Sequence, residues 1–202
     1  MGYSSRVATT DQRTRTRITA QLRALRFDAG SLSLNLAATV ARRGETEVER
    51  LTGPERLAEW CAGVGVDLRA ADRTPEFVAR LHELRAAVYD VLAASVRDRL
   101  PDKASVALVN EVAAVAPPAA TLRGTRVEPP VLTGAELRSL IARDLLDVLA
   151  DPSRLRECDS ELCRMIYVDS PGGRPRKWCS MQRCGNRAKA AQHRRKAGAA
   201  PA

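Results

Sequence analysis

Apolar residues recur every three or four positions in four stretches of the chain, and each stretch carries its own start and stop signals. The longest is Phe77, Leu81, Leu84, Val88, Val91, Leu92 and Val96, which predicts a long amphipathic helix ending before Pro101. Thr74-Pro75-Glu76 opens it, because proline suits the first turn and a carboxylate favours the positive end of the helix dipole. Thr52-Gly53-Pro54-Glu55 repeats that start ahead of Leu57, Trp60 and Cys61, with Gly63 and Gly65 as the stop. Asp102 caps a third helix, with Leu108, Val109, Val112 and Val115 on one side and Pro117-Pro118 at its end. Thr133 caps a fourth, faced by Leu137, Leu140, Ile141, Leu145, Val148 and Leu149 and closed by Asp151-Pro152. Leu32, Leu34, Leu36 and Val40 fit period two and a helical face alike. The length of the run, Ser31 to Arg42, with Gly44 as a stop behind it, favours helix. A short extended piece is expected over Glu45 to Leu51, and one strand around Leu122 to Val127.

Residues 27–150 thus read as a compact, mainly helical domain of about five helices with minor β. Residues 1–26 are polar and threaded with arginine, and are expected to be disordered. The pattern changes after Pro152. Arg164 to Asp169 reads as a strand, Ser170 to Arg174 as a turn, Arg176 to Cys179 as the returning strand, and Met181 to Lys196 as a helix. Residues 154–196 then form a separate small module, with 197–202 as a disordered tail.

Charge sharpens this division. From Pro152 onward there are twelve Lys and Arg against four Asp and Glu; residues 27–151 hold fifteen against nineteen. A basic end on a near-neutral body suggests a polyanion partner, most often nucleic acid, though a solvated tail carries the same charge. No stretch approaches the roughly 20 apolar residues of a membrane span. The first residues lack the apolar centre of a secretory signal, so a cytoplasmic location is expected. The helical region shows no glycine-rich phosphate loop, no Ser-His-Asp set and no His-Glu-x-x-His motif, so no enzyme is expected. His82 reads as a surface or boundary histidine, and Cys61 beside Trp60 as a buried core thiol.

The other four cysteines carry the chemistry. Four residues separate Cys158 from Cys163, four separate Cys179 from Cys184, and fifteen lie between the pairs. Each pair can reach one ion from a local turn, and the connection brings the pairs together. Four thiolates close a tetrahedral site, which implies structural Zn²⁺; disulfides are the alternative, less suited to a reducing compartment. The order of cysteine turn, hairpin and helix is treble-clef-like. The last helix would display Arg183, Asn186, Arg187, Lys189, Arg194, Arg195 and Lys196 as candidate nucleic-acid contacts.

Trp178-Cys179-Ser180-Met181-Gln182-Arg183-Cys184-Gly185-Asn186-Arg187-Ala188-Lys189 resembles the signature of CGNR zinc-finger proteins, with Cys184-Gly185-Asn186-Arg187 as the naming tetrapeptide. Phe27-Asp28-Ala29-Gly30, Leu32-Ser33-Leu34, Arg42-Arg43-Gly44 and Glu49-Arg50-Leu51 through Trp60 resemble the ABATE domain that partners such fingers. Asn35 stands where that resemblance leads one to expect an acidic residue. The resemblance implies a stress-induced transcriptional regulator of bacterial type: the four cysteines as ligands, DNA as the partner of the finger, and a sensing or regulatory N-terminal domain. A small-molecule effector and a homodimer are compatible with that expectation. The alternative is a zinc-stabilised interaction module that docks onto protein or RNA machinery without reading sequence.

Overall fold

The computed structural model describes residues 18–169 and 175–198, with side chains as far as Arg194. Helix α1 (Ala20–Arg23) is a single turn capped by the Thr19 hydroxyl. Helix α2 (Leu32–Ala37) starts at Ser31, whose hydroxyl accepts from the Leu34 N–H. Strands β1 (Val40–Ala41) and β2 (Val48–Glu49) pair antiparallel. Helix α3 (Pro54–Val64) follows and ends at Gly65, whose φ of 73° is the left-handed conformation that glycine adopts without strain. Strand β3 (Asp67–Leu68) leads to helix α4 (Pro75–Val96), capped by Thr74. Helix α5 (Lys103–Ala113) is capped by Asp102. Strands β4 (Thr121–Arg123) and β5 (Arg126–Glu128) form an exposed hairpin. Strand β6 (Val131–Leu132) lies parallel to β3 and precedes helix α6 (Gly134–Ala150). Helix α6 opens on a capping box, in which Thr133 takes the Glu136 N–H and Glu136 takes the Thr133 N–H.

Helix α4 lies at the centre, with α2, α5 and α6 packed against it. Its Phe77, Leu81, Leu84, Val88 and Leu92 are buried, and they meet Leu34, Leu36, Leu57, Trp60, Leu137, Ile141 and Leu145 in one aliphatic core. Each such side chain contributes about 1.5–3 kcal/mol on leaving water. One charged pair is built into this core. The guanidinium of Arg85, on the buried side of α4, donates to both carboxylate oxygens of Glu49 at 2.7 and 2.5 Å and to Thr39 Oγ1 at 2.8 Å. Glu49 Oε1 also accepts the N–H groups of Arg50 and Leu51, so the bend after β2 is tied to α4.

Several expectations need correction. The helix expected over 31–42 stops at Ala37, because Thr39 turns its hydroxyl onto the Leu36 carbonyl and Val40–Ala41 pairs as a strand. The single strand around 122–127 is a two-stranded hairpin, turned at Gly124 with φ 60°. Disorder over 1–26 does not hold from Ile18 onward, where Thr19 caps α1 and Arg26 is buried; residues 1–17 lie outside the described residues. Of the expected disordered tail, Ala197 and Gly198 belong to the last helix, and 199–202 lie outside the described residues.

The remaining elements are a short 3₁₀ turn (Pro152–Arg154), the antiparallel strands β7 (Leu155–Glu157) and β8 (Ile166–Val168), a single π-type turn (Met181–Gly185) and helix α7 (Asn186–Gly198). The hairpin is therefore made with Leu155–Glu157, not with Arg176–Cys179 as expected. Pro175 has no N–H to give, and the Arg176 N–H is taken by the Asp169 carboxylate, so the returning segment runs beside β8 without joining a ladder. The expected turn 170–174 lies outside the described residues.

This region shares the core of the helices. Leu155, Met165, Ile166 and Tyr167 are buried in the same cluster as α2 and α4. The Val168 N–H donates to the Ala29 carbonyl, Arg97 of the segment after α4 pairs with Glu157, and the Tyr89 hydroxyl donates to the Arg164 carbonyl. Gly44, expected as a helix stop, serves a different purpose. A side chain there would place its Cβ 1.6 Å from the Glu161 carbonyl oxygen, so only glycine admits the turn between Cys158 and Cys163.

Candidate metal centre and basic helix

The sequence builds the centre from two turns. In the first, Cys158 leaves β7 with its N–H bonded to the Met165 carbonyl, and the Cys163 N–H folds back onto the Ser160 carbonyl. Arg164, with φ 53°, then swings the chain into β8. In the second, the Ser180 carbonyl accepts from both Cys184 N–H and Gly185 N–H, a wide turn that sets Cys184 opposite Cys179 and leads straight into α7. The Asp159 N–H donates to the Lys177 carbonyl and joins the two turns.

The four Sγ atoms all lie within 4.8 Å of one another, with Cys158, Cys179 and Cys184 buried and Cys163 half-buried. Cys163–Cys179 and Cys179–Cys184 are each 3.7 Å apart. A tetrahedral zinc with Zn–S bonds of about 2.3 Å requires sulfurs roughly 3.8 Å apart, whereas a disulfide requires about 2.05 Å. The donor set therefore fits one structural Zn²⁺ with no coordination position left over. Hydrogen bonds from the other three thiols, aided by the charge of Arg26, hold the Cys179 thiol well below its ordinary range.

Arg26 is the contact that sequence reasoning missed. Its Nη1 donates to Cys179 Sγ at 3.2 Å while Nε and Nη2 grip the Asp28 carboxylate at 2.8 and 2.7 Å. Burial acts against its charge; Asp28 and the Cys179 thiolate outweigh burial and hold the guanidinium protonated. A ligand thiolate thus receives a charged donor from outside the finger, the kind of outer-shell bond that orients metal ligands. The only sequence trace is an arginine just before Phe27-Asp28. Asn35 belongs to the same junction: its Oδ1 accepts the Ala29 N–H at 3.1 Å, which a carboxylate oxygen would also do.

The candidate nucleic-acid residues divide. Asn186, Lys189 and, unforeseen, His193 follow one stripe of α7 at spacings of three and four, all exposed. Arg187 and Arg194 are exposed on a flank of that stripe, and Ala188 and Ala191 are half-buried on the other side of the helix. Arg183 precedes the helix, is half-buried, and donates to the Gln21 carbonyl at 3.0 Å. The side chains of Arg195 and Lys196 lie outside the described residues, although their backbone is helical. Elsewhere, Cys61 is buried and its thiol is pushed up to about 11 by desolvation. His82 is half-buried, with Nε2 2.9 Å from the Leu51 carbonyl. No described helix is long and apolar enough to cross a membrane.

A family model named ABATE, with the description "Putative stress-induced transcription regulator", matches residues 30–152. A CGNR zinc finger model matches residues 154–197, the segment that holds all four ligand cysteines and α7. No curated protein matches the chain.

Proposed function

The chain belongs to the ABATE family and carries a CGNR zinc finger, and from that premise we propose that it is a transcription regulator whose finger binds duplex DNA through α7. The observation that carries this reading is the surface of α7. Asn186, Lys189, His193, Arg187, Gln192 and Arg194 are all exposed, and no carboxylate occurs between Asn186 and Gly198. Cys184 lies in the turn that leads straight into helix α7, so a bound metal would fix the position of the whole face. Lys and Arg there would neutralise phosphates, and Asn186 and Gln192 have the paired donor and acceptor that base edges match. The role of the helical region in this reading is to hold and regulate the finger.

The test is binding of the zinc-loaded chain to duplex DNA over a range of salt. Replacing Lys189, Arg194 and Arg195 together by alanine should weaken binding at least tenfold and reduce the salt slope by roughly 0.9 for each phosphate left without its cation. Unchanged affinity in a variant that keeps its zinc would remove α7 as the DNA-binding surface. If single-stranded RNA and random duplex compete equally with every duplex tested, the finger is a docking module that does not read sequence.

A further inference from the structure

A second feature at the seam between the helical region and the finger adjoins the metal centre and lies beside the exposed stripe of α7. It is a small, part-open cavity of about 40 Å³, walled on one side by α1 and β1 and on the other by the turn that leads into α7. Five arginines line it: Arg26, Arg42 and Arg50 from the helical region, Arg183 and Arg187 from the finger. No Asp or Glu is among its lining residues, and the ligand cysteines Cys163 and Cys184 complete the wall on the metal side.

The existing partners do not use up this charge. Arg26 is spent on Asp28 and Cys179, and Arg42 pairs with Glu45. Arg50 donates to two neutral carbonyls, those of Leu22 at 2.7 Å and Ala38 at 2.5 Å. Burial above all, with a further contribution from the positive charges of Arg26 and Arg183, pushes the Arg50 guanidinium down to about 10, against the opposing pull of Cys163 and Cys179. Arg183 holds one backbone carbonyl, and Arg187 makes no hydrogen bond or ion pair among the described residues. A fully thiolate zinc centre carries two negative charges and meets the cavity through Cys163 and Cys184, so it offsets part, but not all, of the charge of five arginines. Guanidinium groups suit the oxygens of a tetrahedral anion, to which they can donate two N–H bonds at once. The volume is about that of three waters, which admits one inorganic oxyanion and is far below the several hundred Å³ of a larger organic ligand.

The geometry points to a binding site for one small oxyanion of the phosphate or sulfate class, clamped between Arg50 of the helical region and Arg183 and Arg187 of the finger. Because its two walls belong to the two family segments, the bound anion ties the finger to the helices. This goes beyond the DNA reading and does not depend on it.

The experiment uses the zinc-loaded full chain at constant ionic strength, with chloride replaced stepwise by inorganic phosphate or by sulfate. Thermal stability and tryptophan fluorescence are recorded. The expected result is a saturable rise in Tm, as mass action requires of a ligand that binds the folded state. Arg183→Gln with Arg187→Gln should weaken the apparent affinity at least tenfold while zinc content stays at one per chain. Lys103→Gln, on α5 away from the cavity, should leave it unchanged. Should the double variant lose zinc, Arg187→Gln alone decides, since that guanidinium supports no other bond among the described residues. A flat response to both anions overturns the proposal. So does equal anion affinity in the parent and the arginine variants. Protection by duplex DNA with none from free anion also overturns it, because the arginines would then be backbone contacts.

Discussion

Helix α4 and the β7–β8 hairpin meet in one core, yet different forces hold them. Helix α4 presents Phe77, Leu81, Leu84, Val88 and Leu92 to that core and is surrounded by helices that do the same. The finger brings Leu155, Met165, Ile166 and Tyr167, and beyond these its buried side chains are mostly thiols. An aliphatic layer closes by burial alone, whereas four converging thiols repel or oxidise without an ion between them. A region can therefore be docked on a hydrophobic core and still depend on metal for its own shape. The glycines of the N-terminal segment, Gly30 against Val168 and Gly44 against Glu161, permit the docking.

The largest expected effect separates the two regions. Removing zinc with a chelator, or replacing Cys184 by serine, withdraws a binding free energy of about 10–16 kcal/mol in comparable fingers. Helix α7 and the turn around Cys158 should melt, while circular dichroism keeps most of the signal from α4, α5 and α6. Next comes the seam. Gly44→Ala should destabilise by about 3 kcal/mol, the upper range of overpacking, because the obstruction is backbone rather than a movable side chain. Its signature is a loosened finger that still binds metal, read as faster zinc release to a chromogenic chelator.

Glu49→Gln probes the helical side. Arg85 is nearly enclosed and Glu49 is one-third exposed, so the loss should be about 2 kcal/mol, below that of a fully buried pair. Burial acts to raise the Glu49 carboxyl, and the hydrogen bonds and charge of Arg85 more than reverse it, leaving it below its ordinary value of 4.5. A depressed folded value means that this stability is present above about 4.5 and is lost as pH falls through the folded value. Urea titrations of the parent from pH 6 to pH 3 should show that loss, and Glu49→Gln should flatten it. The smallest effect is Thr133→Ala, which removes half of the α6 capping box for about 1 kcal/mol and leaves zinc release unchanged.

Legibility in the sequence follows the same division. The apolar periods of α3, α4, α5 and α6 are readable, with Thr74, Asp102 and Thr133 as caps, because local signals and core packing agree there. The four ligands are readable from spacing alone. What sequence does not reveal depends on partners distant in the chain. Nothing local to Arg85 points to its partner, Glu49, 36 positions earlier. Arg26 reads as one more arginine in a polar segment until Cys179, 153 positions later, receives its N–H. The hairpin partner is misread because Arg176–Cys179 has strand-like residues, while Asp169 takes the N–H that a ladder would need. Residues of α7 are legible as basic, but not which side of the helix each occupies.

Hydrogen exchange on the full chain, with zinc and after chelation, tests most directly whether the metal alone shapes the finger. Metal removal should abolish protection across residues 155–198, including the Val168 N–H that is held by the Ala29 carbonyl, while the amides of α4 and α6 remain slow. Equal protection of the finger in both samples would contradict a metal-dependent finger, and simultaneous loss throughout the helices would contradict a helical core that stands without it.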